Sequence, residues 1–142
     1  MGKDNMIGKR ILWIEDDAGN LRGLIRPMEK KGCRITIALT EEQALEALDN
    51  GIFDLILLDL IIESGLSTEE PINESDYARV GVRLAEEILI KRKINVPIIV
   101  ISVVNDPKIM NRLLDMGIKK FLHKGRILPS ELNSEISEIL NS

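Results

Sequence analysis

A chain of 142 residues, 44% hydrophobic and 30% charged, has the length and balance of one globular domain, which excludes a two-domain enzyme or a sensor carrying its own effector module. The net charge of −4 argues against nucleic acid as a direct partner, because phosphate binding leaves a basic footprint. One cysteine and one histidine exclude an internal disulfide and a zinc site of the usual kind. No apolar stretch approaches the ~18 residues of a membrane span. Residues Met1 to Arg10 lack the apolar core of a signal peptide, and Met6 stands where a myristoylation motif at Gly2 needs Ser or Thr. A cytoplasmic protein without a membrane partner is expected.

Along the chain, runs of strand length alternate with helical patterns. Ile11-Leu12-Trp13-Ile14 is apolar and ends in Glu15-Asp16-Asp17. From Ala18 to Lys31 the residues Leu21, Leu24, Ile25 and Met28 recur at helical spacing, with Pro27 placed to kink or shorten the helix and Gly32 to stop it. Cys33 to Leu39 reads as a second strand, with Cys33 in the core. Thr40 and Gln43 form a capping box for a helix whose buried stripe is Ala44, Leu45, Ala47 and Leu48.

Phe53 to Leu58 is a third strand, nearly all apolar, ending at Asp59. Ile61 to about Ala78 is irregular and holds Gly65, Pro71 and the acids Glu63, Glu69, Glu70, Glu74 and Asp76. At about 18 residues it exceeds the usual βα connection of ~2–6. A helix is expected from about Arg79 to Lys93, then a strand Ile98–Ile101 followed by Ser102. Asp106-Pro107 opens a further helix that stops at Gly117. Ile118 to Leu122 is the fifth strand, and Pro129 to Leu140 the last helix.

Five strand–helix repeats predict an α/β fold, a doubly wound parallel sheet with helices on both faces. Parallel strands end at one edge, and ligands bind outside that edge. Glu15, Asp16, Asp59 and Ser102 stand at those ends, with Lys124 close after the fifth. Taken singly, each has an ordinary account as a turn, cap or solvated residue. Together they suggest chemistry. Clustered carboxylates repel unless a cation offsets them, and Mg²⁺ suits oxygen ligands with substrate phosphate. Asp59 is then placed as a nucleophile toward a phosphoryl group, with Lys124 and the Ser102 hydroxyl available to its oxygens.

The runs Ile11–Asp17, Asp54–Leu60, Val96–Ser102 and Gly117–Lys124 resemble the receiver domain of two-component response regulators, of the stand-alone chemotaxis-regulator type, over about residues 10–140. The resemblance implies a flavodoxin-like strand order 2-1-3-4-5. It implies a tail at residues 1–9 and a single receiver at 10–142, with an inserted loop at about 61–78. By that resemblance Asp59 is the phosphoacceptor. Glu15, Asp16, Asp59 and the backbone carbonyl of Ile61 are the Mg²⁺ ligands. Ser102 is the switch hydroxyl, Phe121 the switch aromatic and Lys124 the phosphate-binding lysine. A histidine kinase or phosphotransfer protein is the implied donor. Output passes to a downstream protein, from a monomer or weak homodimer that does not turn over substrate.

The sequence departs from the family pattern at three places. Gly125 replaces the usual proline after the lysine, so a less rigid Lys124 is expected. Val103 is larger than the usual small residue and is expected to restrict access. The long acidic segment replaces a short loop, with Gly81 matching the glycine that opens the third helix. Ile61 and Val104 are apolar where they would flank an attacking water, so slow self-dephosphorylation is expected. The alternative is a receiver-like interaction module that works through the inserted loop without phosphorylation. A small Mg²⁺-dependent phosphatase fits less well, because it needs a second acid at position 61 and a cap domain.

Overall fold

The computed structural model describes residues 6–17, 22–62 and 74–141. The strands are β1 (Arg10–Ile14), β2 (Arg34–Ala38), β3 (Leu55–Leu58), β4 (Ile98–Ser102) and β5 (Lys120–His123). The helices are α1 (Arg22–Lys30), α2 (Glu41–Asn50), α3 (Glu74–Glu86, continued by a π-helical turn Glu87–Lys91), α4 (Pro107–Met116) and α5 (Pro129–Leu140). All strand pairs are parallel, in the order β2-β1-β3-β4-β5. Residues 18–21 of the expected first helix and residues 63–73 of the expected loop lie outside the described residues.

Alternation along the strands builds two cores. Leu12, Ile14, Ile56, Leu58, Ile98 and Val100 face α2, α3 and α4, which contribute Ala44, Val82, Leu84 and Leu113. Ile11, Trp13, Leu55, Leu57, Ile99 and Ile101 face α1 and α5, which contribute Ile25, Met28, Leu132 and Ile136. Covering both faces is why these strands read as continuous apolar runs. Burying each such Leu or Ile contributes about 1.5–3 kcal/mol. Met6, expected in the tail, is fully buried in the second core. Cys33 is buried there too, and burial pushes its thiol pKa up.

The helix ends follow their capping residues. Thr40 Oγ1 accepts from the Gln43 N–H at 3.1 Å. The Gln43 side chain reaches one residue further back than a capping box requires, accepting from the Leu39 N–H at 2.8 Å. Asp106 caps α4 by accepting from the Lys108 N–H at 2.9 Å, with Pro107 in the first turn. Gly117 closes α4 with φ +114°, a left-handed conformation that favours glycine.

Several helix and strand boundaries differ from expectation, among them those of α3 and β5. α3 begins at Glu74 rather than Arg79. The sequence reading puts Glu74 and Asp76 in the loop, whereas both positions lie in α3. β5 begins at Lys120 because the Ile118 N–H is used by α4, donating to the Leu113 carbonyl at 3.2 Å. Among the described residues, no helix is long and apolar enough to cross a membrane.

Candidate functional site

The sheet ladder itself delivers the polar residues to one edge. Glu15 follows β1, its N–H donating to the Ala38 carbonyl at 2.9 Å. Asp59 follows β3, its N–H donating to the Ile14 carbonyl at 2.9 Å. Lys124 follows β5, its N–H donating to the Ser102 carbonyl at 2.9 Å. Each therefore sits one residue beyond a strand, with its backbone fixed by the neighbouring strand.

The side chains converge. Glu15 and Asp59 are 1% and 4% exposed, whereas Asp16 is exposed. Each of the three offers a carboxylate oxygen within 4.8 Å of the others. Lys124 Nζ lies 2.5 Å from Glu15 Oε1 and 2.9 Å from Asp59 Oδ2, so one ammonium serves two buried carboxylates. The other Asp59 oxygen, Oδ1, accepts from the Ile61 N–H at 3.0 Å. Glu15 Oε2 accepts from the Asp17 N–H at 3.3 Å.

The electrostatics are unbalanced toward the negative. Burial pushes Glu15 up from 4.5 to about 7, and the adjacent Asp59 adds to the rise against the opposing bond from Lys124. For Lys124, burial alone would lower the pKa, but the bonds to Glu15 and Asp59 outweigh it and raise it. A buried cluster with more negative than positive charge, offering only oxygen ligands, fits a hard cation such as Mg²⁺. Asp16 leaves that cluster open to solvent on one side.

Ser102 is fully buried at the end of β4, and its Oγ accepts from the Val104 N–H at 3.4 Å. Phe121 is half-buried two residues before His123, the residue opposite Ser102, and packs on the core under α2, α3 and α4. Ile61 is half-buried at the edge of the same core. Thus Glu15, Asp16, Asp59 and Lys124 form one cluster. Ser102 and Phe121 stand beside it on β4 and β5, hydrogen-bonded or packed elsewhere.

Several local expectations are revised. Gly125 has φ +89°, outside the range a proline ring can adopt. It forms a tight turn in which the Arg126 N–H donates to the His123 carbonyl at 3.1 Å. Lys124, expected to be held less rigidly, pairs with both carboxylates. Val103 is 51% exposed, whereas Val104 is buried in the core and presents no side chain to solvent. Gly81 does not open α3 but lies in its middle.

Two features had no clear sequence signal. Glu41, an apparently ordinary first-turn acid, is buried and takes a bidentate bond from Arg83, with Nε to Oε2 at 3.0 Å and Nη2 to Oε1 at 2.7 Å. That pair ties α2 to α3, and removing Arg83 would strand the buried charge of Glu41. The second is a backbone approach at Gly81, where a Cβ would lie 2.3 Å from Leu60 Cα. The resemblance singles out this glycine, but only its helical position, where Ala would be preferred, hints at the contact.

A family model described as the response regulator receiver domain matches residues 11–137. A CheY-like response regulator receiver domain protein from Methanospirillum hungatei JF-1 is similar in structure, with a TM-score of 0.75 at 23% identity, covering 94% of each chain. A two-component response regulator from Clostridium difficile gives a TM-score of 0.74 at 23% identity, over 93% of this chain and 95% of that one. The non-phosphorylated HemR receiver domain from Leptospira biflexa gives 0.73 at 23% identity, over 94% and 95%. At these identities the likeness speaks for the fold. No curated protein matches this chain.

Proposed function

The chain belongs to the response regulator receiver family, and on that premise we propose that Asp59 accepts a phosphoryl group from a phosphohistidine on a histidine kinase or phosphotransfer protein. The observation that carries this reading is the posture of Asp59. It is buried, yet both oxygens are engaged, Oδ1 by a backbone N–H and Oδ2 by the Lys124 ammonium. A carboxylate oxygen attacks phosphorus, the O–P bond forms as the P–N bond breaks, and the imidazole leaves with its electron pair and takes a proton from solvent. Lys124, already at the carboxylate, turns to a phosphoryl oxygen as a point charge. Ser102 donates its hydroxyl to another, and Phe121 repacks behind it.

Glu15, Asp16, Asp59 and the Ile61 carbonyl would hold Mg²⁺, which when bound offsets the charge of the incoming group. The product is a signalling state rather than a turnover product. Residues 10–142 act as one receiver, with residues about 61–78 as an insertion, in a cytoplasmic monomer or weak homodimer. Phosphorylation shifts a two-state equilibrium and thereby the binding of a downstream protein.

Beryllofluoride and acetyl phosphate test this directly. With Mg²⁺, the wild type should bind beryllofluoride and form one hydroxylamine-labile phosphoryl adduct, and Asp59→Asn should do neither. An adduct that survives Asp59→Asn would refute the assignment. No adduct on the wild type would favour the interaction module acting through the insertion.

The lifetime of the adduct is a second prediction. Ile61 is apolar and half-buried beside Asp59, so it offers no hydrogen bond to orient an attacking water. Decay of the labelled adduct should be slow, and Ile61→Asn should speed it severalfold. A wild-type half-life of seconds would contradict this.

A further inference from the structure

We propose that Gly81 is a positioning residue for the Asp59 carboxylate, acting through the one peptide unit that joins Leu60 to Ile61. The proposal rests on reading Asp59 as the phosphoacceptor. A peptide unit is planar, so its carbonyl and its N–H move together. Here the carbonyl end, Leu60 C=O, accepts from the Gly81 N–H at 3.2 Å. The other end, the Ile61 N–H, donates to Asp59 Oδ1 at 3.0 Å. One rigid plane is thus held by α3 on one side and holds the carboxylate on the other.

The approach is close enough that only glycine permits it. A Cβ at position 81 would lie 2.3 Å from Leu60 Cα, 2.5 Å from its carbonyl oxygen and 2.8 Å from its carbonyl carbon. All three are backbone atoms, so no side-chain rotation relieves them. Reaching even 3.0 Å from 2.3 Å moves the plane by about 0.7 Å. Leu60 is itself fully buried in the core beneath α2, α3 and α4, so the plane has no free space to retreat into.

The consequence falls on Asp59. With Oδ1 fixed by the Ile61 N–H, the carboxylate presents Oδ2, bonded to Lys124 Nζ at 2.9 Å, as its second oxygen. Displacing the peptide frees the carboxylate to rotate, and a shift of about 1 Å in a reacting group costs up to roughly a hundredfold. Glycine inside a helix destabilises it by about 0.5–1 kcal/mol relative to alanine. Gly81 is retained in α3 at that cost because the phosphoacceptor loop leans on it.

Amide NMR on the full apo chain tests this, comparing wild type, Gly81→Ala and Ala85→Gly. Ala85 is buried one turn further along α3 and serves as a control for simple destabilisation. In the wild type the Ile61 N–H, bonded to Asp59 Oδ1, should be protected from exchange. In Gly81→Ala Ile61 amide exchange should rise at least about tenfold. Beryllofluoride affinity should fall about 10–100-fold in Gly81→Ala and change less than about twofold in Ala85→Gly. A Gly81→Ala protein that melts earlier but keeps the Ile61 protection and the affinity would overturn the proposal. If Gly81→Ala does not fold, the wild type decides: a scalar coupling across the hydrogen bond from Gly81 N to Leu60 C′ supports it, and its absence overturns it. A wild type that shows the Ile61 protection but refuses beryllofluoride would instead sink the phosphoacceptor reading.

Discussion

Glu15 carries the most costly charge in the site. Its carboxylate is buried against Asp59, and the single ammonium of Lys124 is divided between the two. The raised value of about 7, against 4.5 when unfolded, means the native state holds a proton that the unfolded chain has lost between those limits. More protons bound in the native state means stability falls as pH rises through that window. Without divalent cations, urea unfolding should therefore give a lower free energy at pH 7.5 than at pH 5. Glu15→Gln should flatten that slope and stabilise the protein at pH 7.5 by about 1–2 kcal/mol, a figure reduced for solvent screening. An unchanged slope in Glu15→Gln would show that another group titrates. The same substitution removes a cation ligand, so retaining this glutamate favours function at the expense of stability. Its position after β1 was readable from the sequence, but its burial was not, because its neighbours Asp59 and Lys124 are distant in sequence and arrive only with β3 and β5.

At the scale of elements, legibility followed burial. β1, β3 and β4 are covered on both faces, so their apolar runs announced them. β2 lies at the sheet edge, where Ile37 is 39% exposed, and its alternation is correspondingly weak. α5 was read to its residue limits because Pro129 starts it and the inward positions Leu132 and Ile136 are fully buried. The start of α3 was misplaced because its first turn is polar and carries no apolar stripe. The π-helical turn that extends α3 was also unreadable. There the Arg92 N–H donates to the Glu87 carbonyl at 2.8 Å, five residues back, and Arg92 also bridges Glu87 and Asp49. One extra residue in a turn leaves no compositional trace, whereas caps such as Thr40 and Asp106 do. Gly81 belongs to the same class of hidden feature. Its significance lies in a contact with Leu60 across the β3–α3 connection.

For the whole molecule, the sheet is shared by two cores, and the candidate site is built on the ends of that sheet. β1 and β3 contribute side chains to both cores while their ends carry Glu15 and Asp59. A ligand that needs those ends in place therefore binds the folded chain and not the unfolded one. Such binding stabilises by RT ln(1 + [L]/Kd), about 2.7 kcal/mol at a hundredfold excess over Kd. For a chain near 150 residues each kcal/mol raises Tm by about 2–4 °C, so saturating Mg²⁺ should raise Tm by about 5–10 °C at pH 7.5. The increment should shrink toward pH 5.5, because Glu15 is then protonated and no longer an effective ligand. Mg²⁺ thus reverses the trend of the free protein, offsetting the high-pH instability that the carboxylates impose. Calorimetry across pH with and without Mg²⁺ reads both slopes in one experiment. Equal increments at pH 5.5 and 7.5, or none in the wild type, would show that the cation does not bind through Glu15.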